Sequence, residues 1–157
     1  MKNNAQATSI VIRSAVEADL PRLLAIEESA HVYAWPEYTL RWSLNQQNFC
    51  IRVLEQQGEI TGFAIFECVL DEATLLNLAI DPAAQNHGFG RTLLRDGLRA
   101  LDQKITRVLL EVRESNASAR HLYRSEGFVE IAVREDYYPT FSGRENAHVL
   151  ELFVGKP

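Results

Sequence analysis

The sequence predicts an α/β protein, a mixed central sheet flanked by helices. Three observations carry that prediction. Runs rich in β-branched and aromatic residues, alternating with a period of two, recur along the 157 residues. Between them lie segments whose apolar residues return at helical spacing. Helical segments also stand before and after Arg107–Arg113, which asks for parallel strand neighbours in the middle, because parallel strands need a crossover between them. The order read is β-αα-βββ-α-β-α-ββ.

Each element has a local reason. Ser9 to Arg13 (SIVIR) is a short β-branched strand. Ser14 and Glu17 have the spacing of a capping box, in which the serine oxygen accepts from the amide three residues on and the glutamate reaches back. Glu17 to Ala30 places Leu20, Leu23, Leu24 and Ile26 on one helical face; Pro21 is tolerable only in the early turns, so the helix effectively begins near Leu20. His31 to Pro36 (HVYAWP) is an aromatic loop, and Glu37 to Asn45 a second short helix. Phe49–Gln56, Ile60–Leu70 and Ala73–Ile80 are strands, separated by Gly58 and by a turn at Asp71-Glu72, with Gly62 marking a bulge or a close backbone approach. Asp81-Pro82 ends the third. Gly88 to Asp102 is a helix carrying Phe89, Leu93, Leu94, Leu98 and Leu101 in one stripe. Arg107 to Arg113 (RVLLEVR) reads as a strand buried on both faces. Ser115 and Asn116 supply the cap of a helix that runs to Glu126 and stops at Gly127. Phe128–Arg134 and Ala147–Val154 are the last strands, joined by a long polar loop through Tyr137, Tyr138, Pro139 and Gly143.

Composition narrows the function classes. Hydrophobic residues make up 46% and charged residues 24%, an apolar content too high for disorder and sufficient for a core of its own. One domain over residues 9–157, preceded by a short flexible tail at 1–8, is the expected organisation. The net charge of −5 argues against general nucleic-acid binding and leaves room for a basic peptide or amine as partner. No stretch approaches the ~20 apolar residues of a membrane span, and MKNNAQATS lacks the apolar core of a secretory signal. A cytoplasmic location and no membrane partner are expected. Cys50 and Cys68 sit in apolar strand-like runs and read as small core hydrophobes, with no disulfide or metal framework. His31, His87, His121 and His148 show no metal-ligand spacing, so no metal is expected.

Three constellations carry chemistry. Gln85-Asn86-His87-Gly88-Phe89-Gly90 lies between a strand and a helix, where unpaired first-turn amides and the helix dipole make an anion site and glycine permits close approach of a phosphate. A tight turn without a ligand is the competing reading. No Gly-Lys-Ser/Thr follows, and Leu93 stands where a dinucleotide fingerprint has its third glycine, so neither a triphosphate nor a dinucleotide is expected. Glu111 lies on the face of its strand opposite Val108, Leu110 and Val112. A carboxylate desolvated in an apolar strand gains basicity; a structural ion pair with Arg107 or Arg113 is the alternative. Asn116 and Tyr123 are seven residues apart and share one side of their helix, where they offer a ligand an amide and a phenolic proton, or serve only as a cap and a core ring.

In this order the three constellations resemble the GCN5-related N-acetyltransferase (GNAT) family, over nearly the whole chain in element order and most strongly from Leu70 to Leu152. VLDEATLLNLAIDP, LEVRESNASARHLYRSEGF and REDYYPTFSGRENAHVLEL are similar to that family's ribosomal-protein-alanine acetyltransferases. The resemblance implies the GNAT acyl-CoA N-acyltransferase fold and acetyl-CoA as cosubstrate, with no metal. It implies that the loop Gln85, Asn86, His87, Gly88, Phe89 and Gly90 binds the pyrophosphate. Asn77, Leu78, Ala79 and Ile80 correspond to the splayed strand whose backbone pairs with the pantetheine arm, and Asn116 to the asparagine that contacts that arm. Glu111 takes the position of the general base, and Tyr123, near the thioester sulfur, that of the general acid. The implied substrate is the N-terminal alanine of the eighteenth small-subunit ribosomal protein, presented as a basic peptide to a monomeric enzyme, with Asp71, Glu72 and Asp136 as possible acidic attractors. Asn86 and His87 depart from the more basic or glutamine residues frequent at those positions, and the aromatic loop HVYAWPEY is a second departure. An acyltransferase acting on lysine or a small amine and a catalytically silent acyl-CoA-binding domain are the competing functions; intact Glu111 and Tyr123 argue against the silent one.

Overall fold

A computed structural model describes residues 9–155, so the tail expected at 1–8 lies outside the described residues. The elements are β1 (Ile10–Ser14), α1 (Leu20–Ala30), α2 (Glu37–Leu44), β2 (Phe49–Gln56), β3 (Glu59–Val69), β4 (Glu72–Ile80), α3 (Phe89–Ala100), β5 (Arg107–Arg113), α4 (Ala117–Ser125), β6 (Val129–Thr140) and β7 (Gly143–Phe153), with short 3-10 turns at Glu17–Asp19 and Pro82–Ala84. The strands are hydrogen-bonded in the order β1-β2-β3-β4-β5-β7-β6. The chain forms two compact units, one running through Ile65 together with Asn77–Ala100, the other Phe66–Leu76 together with Leu101 onward.

In the first unit β1 and β2 pair antiparallel, Ile12 opposite Leu54. Leu23, Ile26, Phe63 and Leu94 are among its fully buried side chains, so the apolar stripes of α1 and α3 supply core as their spacing requires. Helix α1 does begin at Leu20, with Pro21 in its first turn. The capping box does not form. Ser14 remains in β1, where its hydroxyl accepts from Arg52 Nη1 at 3.0 Å. The turn is closed instead by Asp19, whose Oδ2 accepts from the Val16 amide at 2.8 Å. Arg13 decides the outcome: its two terminal nitrogens grip both Asp19 oxygens at 2.8 and 2.9 Å while its Nε donates to Glu55 at 2.9 Å. A bidentate, charge-assisted pair outweighs a neutral serine cap.

The Arg13 guanidinium, with the Val16 amide behind it, holds the Asp19 carboxyl below its ordinary range. The folded state therefore binds this proton less readily than the unfolded chain, and the ion pair adds stability that is complete above the unfolded value of about 3.9. That contribution is lost as the pH falls through the lower folded value. Asp19→Asn should thus be less stable than the parent at pH 7, and the gap should close below about pH 4. Urea midpoints measured from neutral to strongly acidic pH check this; a gap that stays constant over the range contradicts it.

Gly62 is a close approach rather than a bulge. A Cβ built there would lie 2.5 Å from Ile80 Cδ1 and 3.0 Å from the Ala79 carbonyl oxygen. On the helix side, Arg52 of β2 donates from Nε to Asp96 of α3 at 2.7 Å and holds that helix to the strand.

In the second unit β4 and β5 are parallel, as the intervening helix requires. The expectation of parallel neighbours on both sides of β5 is corrected. β7 is inserted beside β5 and runs antiparallel to it, from Arg107↔Phe153 to Arg113↔Ala147, and β6 pairs outside β7. A hairpin of two long strands makes this possible: β7 folds back from β6 and enters the sheet as the inner strand. Burial alternates strictly along β5, with Val108, Leu110 and Val112 buried and the residues between them half-buried, so the strand is not buried on both faces. Arg107 ties three strands together, reaching Glu72 at 3.0 Å and Glu151 at 2.8 Å. Cys68 here and Cys50 in the first unit are half-buried, not core residues.

The long polar loop expected after Arg134 is also corrected. β6 continues through Tyr137, Tyr138 and Pro139 to Thr140, and a tight turn leads to Gly143. The segment looks like loop because it is polar on an exposed outer strand. Its register slips between Arg134 and Tyr138, four positions of β6 covering the two from Ala147 to Glu145, and Asp136 takes up the slack with φ +49°. The Asp136 amide finds Asn146 Oδ1 at 3.0 Å, so the bulge is hydrogen-bonded.

Candidate active site

The glycine loop belongs to the first unit. Asn86 and Gly88 both have positive φ, +64° and +79°, and the open space around Gly88 shows that backbone conformation, not crowding, selects glycine there. The first bond of α3 runs from the Thr92 amide to the Gly88 carbonyl at 3.1 Å. The Phe89 and Gly90 amides ahead of it have no intrahelical acceptor and the helix dipole behind them. Gln85 donates its side-chain amide to the Ile80 carbonyl at 3.1 Å, closing the loop onto the end of β4. His87 Nδ1 faces two carbonyls, Gln85 at 2.8 Å and Ala84 at 3.2 Å, so it must carry the proton there. The ring stacks on Phe89 with centroids 5.8 Å apart. The loop is thus braced from within, and its fit to a diphosphate rests on backbone amides.

Asn77, Leu78, Ala79 and Ile80 are the last residues of β4. The β4–β5 ladder covers Glu72–Leu75 against Arg107–Leu110, and β4 runs on beyond it to Ile80. The Asn77 side chain is buried and already engaged. Its Nδ2 donates to Glu27 Oε2 at 2.8 Å and its Oδ1 lies 3.2 Å from His31 Nε2. Asn77 therefore offers a ligand its backbone and not its amide.

In the second unit Tyr138, which local pattern does not mark, lies close enough to act electrostatically on Tyr123 and to feel Glu111. Glu111 forms its ion pair with Arg134 of β6. Its Oε1 lies 3.0 Å from Arg134 Nε, and its side chain is 27% exposed. The expected desolvated carboxylate is a half-open one in an ion pair, reached across β7 from β6. Tyr123 is 7% exposed and its ring meets Phe128 edge-on at 5.8 Å. Burial pushes its phenol well above the ordinary tyrosine value, and Tyr138 adds to the rise. Tyr123 is therefore a fully protonated donor at neutral pH. Tyr138 is the residue missed. Burial and the Glu111 carboxylate push its own phenol up to about 12, and Arg113 lies 4.3 Å over its ring. Tyr137 takes Arg134 in the same way at 5.1 Å. The signal was present as Tyr137-Tyr138 in REDYYP, and reading that segment as loop hid it.

Asn116 caps α4 as expected, its Oδ1 accepting from the Ala119 amide at 3.2 Å, and the residue is exposed. Ser115 turns instead to Glu145 at 2.9 Å. Gly127 ends α4 with φ +97°. The three acidic candidates each take part in local bonding. Glu72 is bound to Arg107, the Asp71 carbonyl accepts from the Thr106 amide, and Asp136 forms the bulge. Among the described residues no group of three or more His, Cys, Asp or Glu is placed to hold a metal, and no helix is long and apolar enough to cross a membrane.

The first unit thus supplies a braced glycine loop at a helix start and an extended strand end, and the second a carboxylate and a buried, protonated tyrosine. The family model described as "Acetyltransferase (GNAT) family" matches residues 15–128. The chain belongs to the GNAT family. Its sheet of mixed direction with four covering helices is the GNAT fold. Within the family it is 42% identical over 142 residues to the ribosomal protein bS18-alanine N-acetyltransferase of Escherichia coli strain K12, covering 90% of this chain and 95% of that protein. The enzyme of the same name from Haemophilus influenzae is 45% identical over 146 residues, covering 91% and 99%. The crystal structure of the ribosomal-protein-S18-alanine N-acetyltransferase from Escherichia coli superposes with a TM-score of 0.89 at 40% identity, covering 95% of this chain and 96% of that one.

Proposed function

We propose that this chain is an N-terminal protein acetyltransferase of the RimI type, moving the acetyl group of acetyl-CoA to the α-amine of the N-terminal alanine of the eighteenth small-subunit ribosomal protein. The observation that carries the reading is identity of 42% and 45%, over nine-tenths of the chain, to enzymes named for that reaction. Residues 9–157 act as one transferase domain, monomeric, in the cytoplasm where ribosomal proteins are made.

Bound acetyl-CoA supplies an activated thioester. Gln85, Asn86, His87, Gly88, Phe89 and Gly90 hold its pyrophosphate through loop amides. The backbone of Asn77, Leu78, Ala79 and Ile80 and the side-chain amide of Asn116 align the pantetheine arm, and an amide near Leu78–Ile80 polarises the carbonyl. A free α-amine has a pKa of about 7.7–8.0, so at neutral pH much of it is protonated and cannot attack. Glu111, directly or through one water, takes that proton. Arg134 orients Glu111 for the task. The neutral amine attacks the thioester carbonyl. As the C–N bond forms and the C–S bond breaks, Tyr123 gives its phenolic proton to the departing sulfur and regains, through solvent, the proton that the new amide nitrogen sheds.

The function is tested by mass spectrometry of the ribosomal protein's N-terminal peptide after incubation with enzyme and acetyl-CoA, with free polyamines as competitors. Acetylation at the alanine α-amine is expected, and preferential acetylation of the polyamine or of a lysine would replace this reading. Glu111→Gln should lose about 10²-fold or more in kcat/KM at neutral pH. The deficit should shrink toward about pH 9, where the amine sheds its proton unaided; a pH-independent deficit contradicts the base role.

A further inference from the structure

Glu27 is a carboxylate on α1 that the proposed chemistry does not use, and it is 1% exposed. A buried charge of this kind persists only when its oxygens are fully engaged. One oxygen accepts from the Trp35 backbone amide at 3.0 Å, in the loop between α1 and α2. The other accepts from Asn77 Nδ2 on β4 at 2.8 Å and lies 3.7 Å from His31 Nε2. Because the Asn77 nitrogen is spent on Glu27, its oxygen faces His31, and an amide oxygen only accepts; His31 therefore carries its proton on Nε2 and donates at 3.2 Å. Donor and acceptor are matched at every link. The chain of bonds fastens both ends of the segment 31–35 to the same point of β4.

That point adjoins Leu78–Ile80, where the proposed reading puts the polarised acyl carbonyl. The 31–36 loop is fastened beside this strand end through His31, and its Val32 is 75% exposed. We infer that Glu27, Asn77 and His31 are positioning residues that set the 31–36 loop as a wall of the acceptor site. The inference rests on the acetyltransferase reading. Glu27 touches no substrate; it acts through Trp35 and Asn77.

The network makes a sharp prediction about polarity. Glu27→Gln alone turns a donor toward the Asn77 donor, and Asn77→Asp alone sets two carboxylates against each other. In the double variant that combines Glu27→Gln with Asn77→Asp, the side-chain oxygen at position 27 takes the Trp35 amide. The nitrogen beside it donates to the carboxylate at position 77, and that carboxylate still accepts from His31. Every bond is restored with one charge retained. In steady-state kinetics with the alanine-led ribosomal peptide, each single variant should raise the peptide KM about tenfold, the scale of one misplaced buried hydrogen bond. The double variant should return it to within about threefold of the parent. Glu27→Gln should leave the acetyl-CoA Kd, measured by calorimetry, unchanged, and amide exchange at Trp35 should quicken in the single variants only. Should a buried variant fail to fold, His31→Ala, at the half-exposed end, must show the same rise in peptide KM. An unmoved peptide KM, a double variant no better than the singles, or acetyl-CoA affinity falling together with peptide affinity overturns the inference. A parent enzyme that binds acetyl-CoA but leaves the peptide unmodified overturns the acetyltransferase reading instead, and this inference with it.

Discussion

Tyr123→Phe is expected to lower kcat by about 10²-fold or more while leaving the acetyl-CoA Kd within about threefold. The substitution keeps the ring that packs on Phe128 and removes only the hydroxyl. Burial already holds that hydroxyl protonated far above neutrality, so its service to a departing thiolate is that of a donor. The split between rate and affinity separates this role from a packing role, because a packing defect lowers stability and cofactor affinity together. The result is read by single-turnover rates with calorimetric acetyl-CoA titrations, and unchanged turnover would remove Tyr123 from the chemistry. Tyr138 gives a useful control. It lies beside the same Glu111 charge and has its own raised phenol, so an acid role transferred to it would show as Tyr138→Phe, not Tyr123→Phe, carrying the larger rate loss.

Gly62→Val has the second large expected effect, on stability first and on cofactor binding through it. Even one added carbon would stand 2.5 Å from Ile80 Cδ1 and 3.0 Å from the Ala79 oxygen. The Ile80 methyl can swing aside, but the Ala79 carbonyl is backbone and moves only with the strand. Overpacking of this kind costs about 1–3 kcal/mol, or roughly 3–10 °C in Tm for a domain of this size. Since the displaced residues are the ones proposed to align the pantetheine arm, acetyl-CoA affinity should fall as well. Gly62→Ala should show a smaller loss of both. Thermal melts with and without acetyl-CoA read the two effects apart; a valine variant with parental Tm would mean that β3 and β4 separate freely at this point.

How far the sequence alone reaches depends on the range of the forces at each position. Helix α1 from Leu20, the Asn116 cap, the Gly127 stop and strands β2 and β5 follow from neighbours within a few residues, since spacing, β-branching and a capping oxygen act locally. Gly62 was legible as a special position because a glycine inside a strand marks a bulge or a close backbone approach. The loop at residues 85–90 was legible in kind, because its glycines and the start of α3 are contiguous. The capping box failed because Arg13 recruits Asp19 while Glu55, 42 positions away from Arg13, shares the same guanidinium.

The site shows the same division. Glu111 and Tyr123 were found by motif, yet their surroundings come from residues distant in the chain. Arg134 reaches Glu111 only because β7 lies between β5 and β6, and Tyr138 enters the neighbourhood only because a bulge lets β6 continue through a stretch whose polarity reads as loop. Glu27 and Asn77 are 50 residues apart, and neither carries a signal of the other. By itself the sequence determined the elements, the glycine loop and the family, all of which rest on local pattern. The tertiary structure alone decided strand order, the partner of each charged side chain and the burial that keeps Tyr123 protonated, because pairing and desolvation depend on which distant segments meet, and local pattern does not encode that.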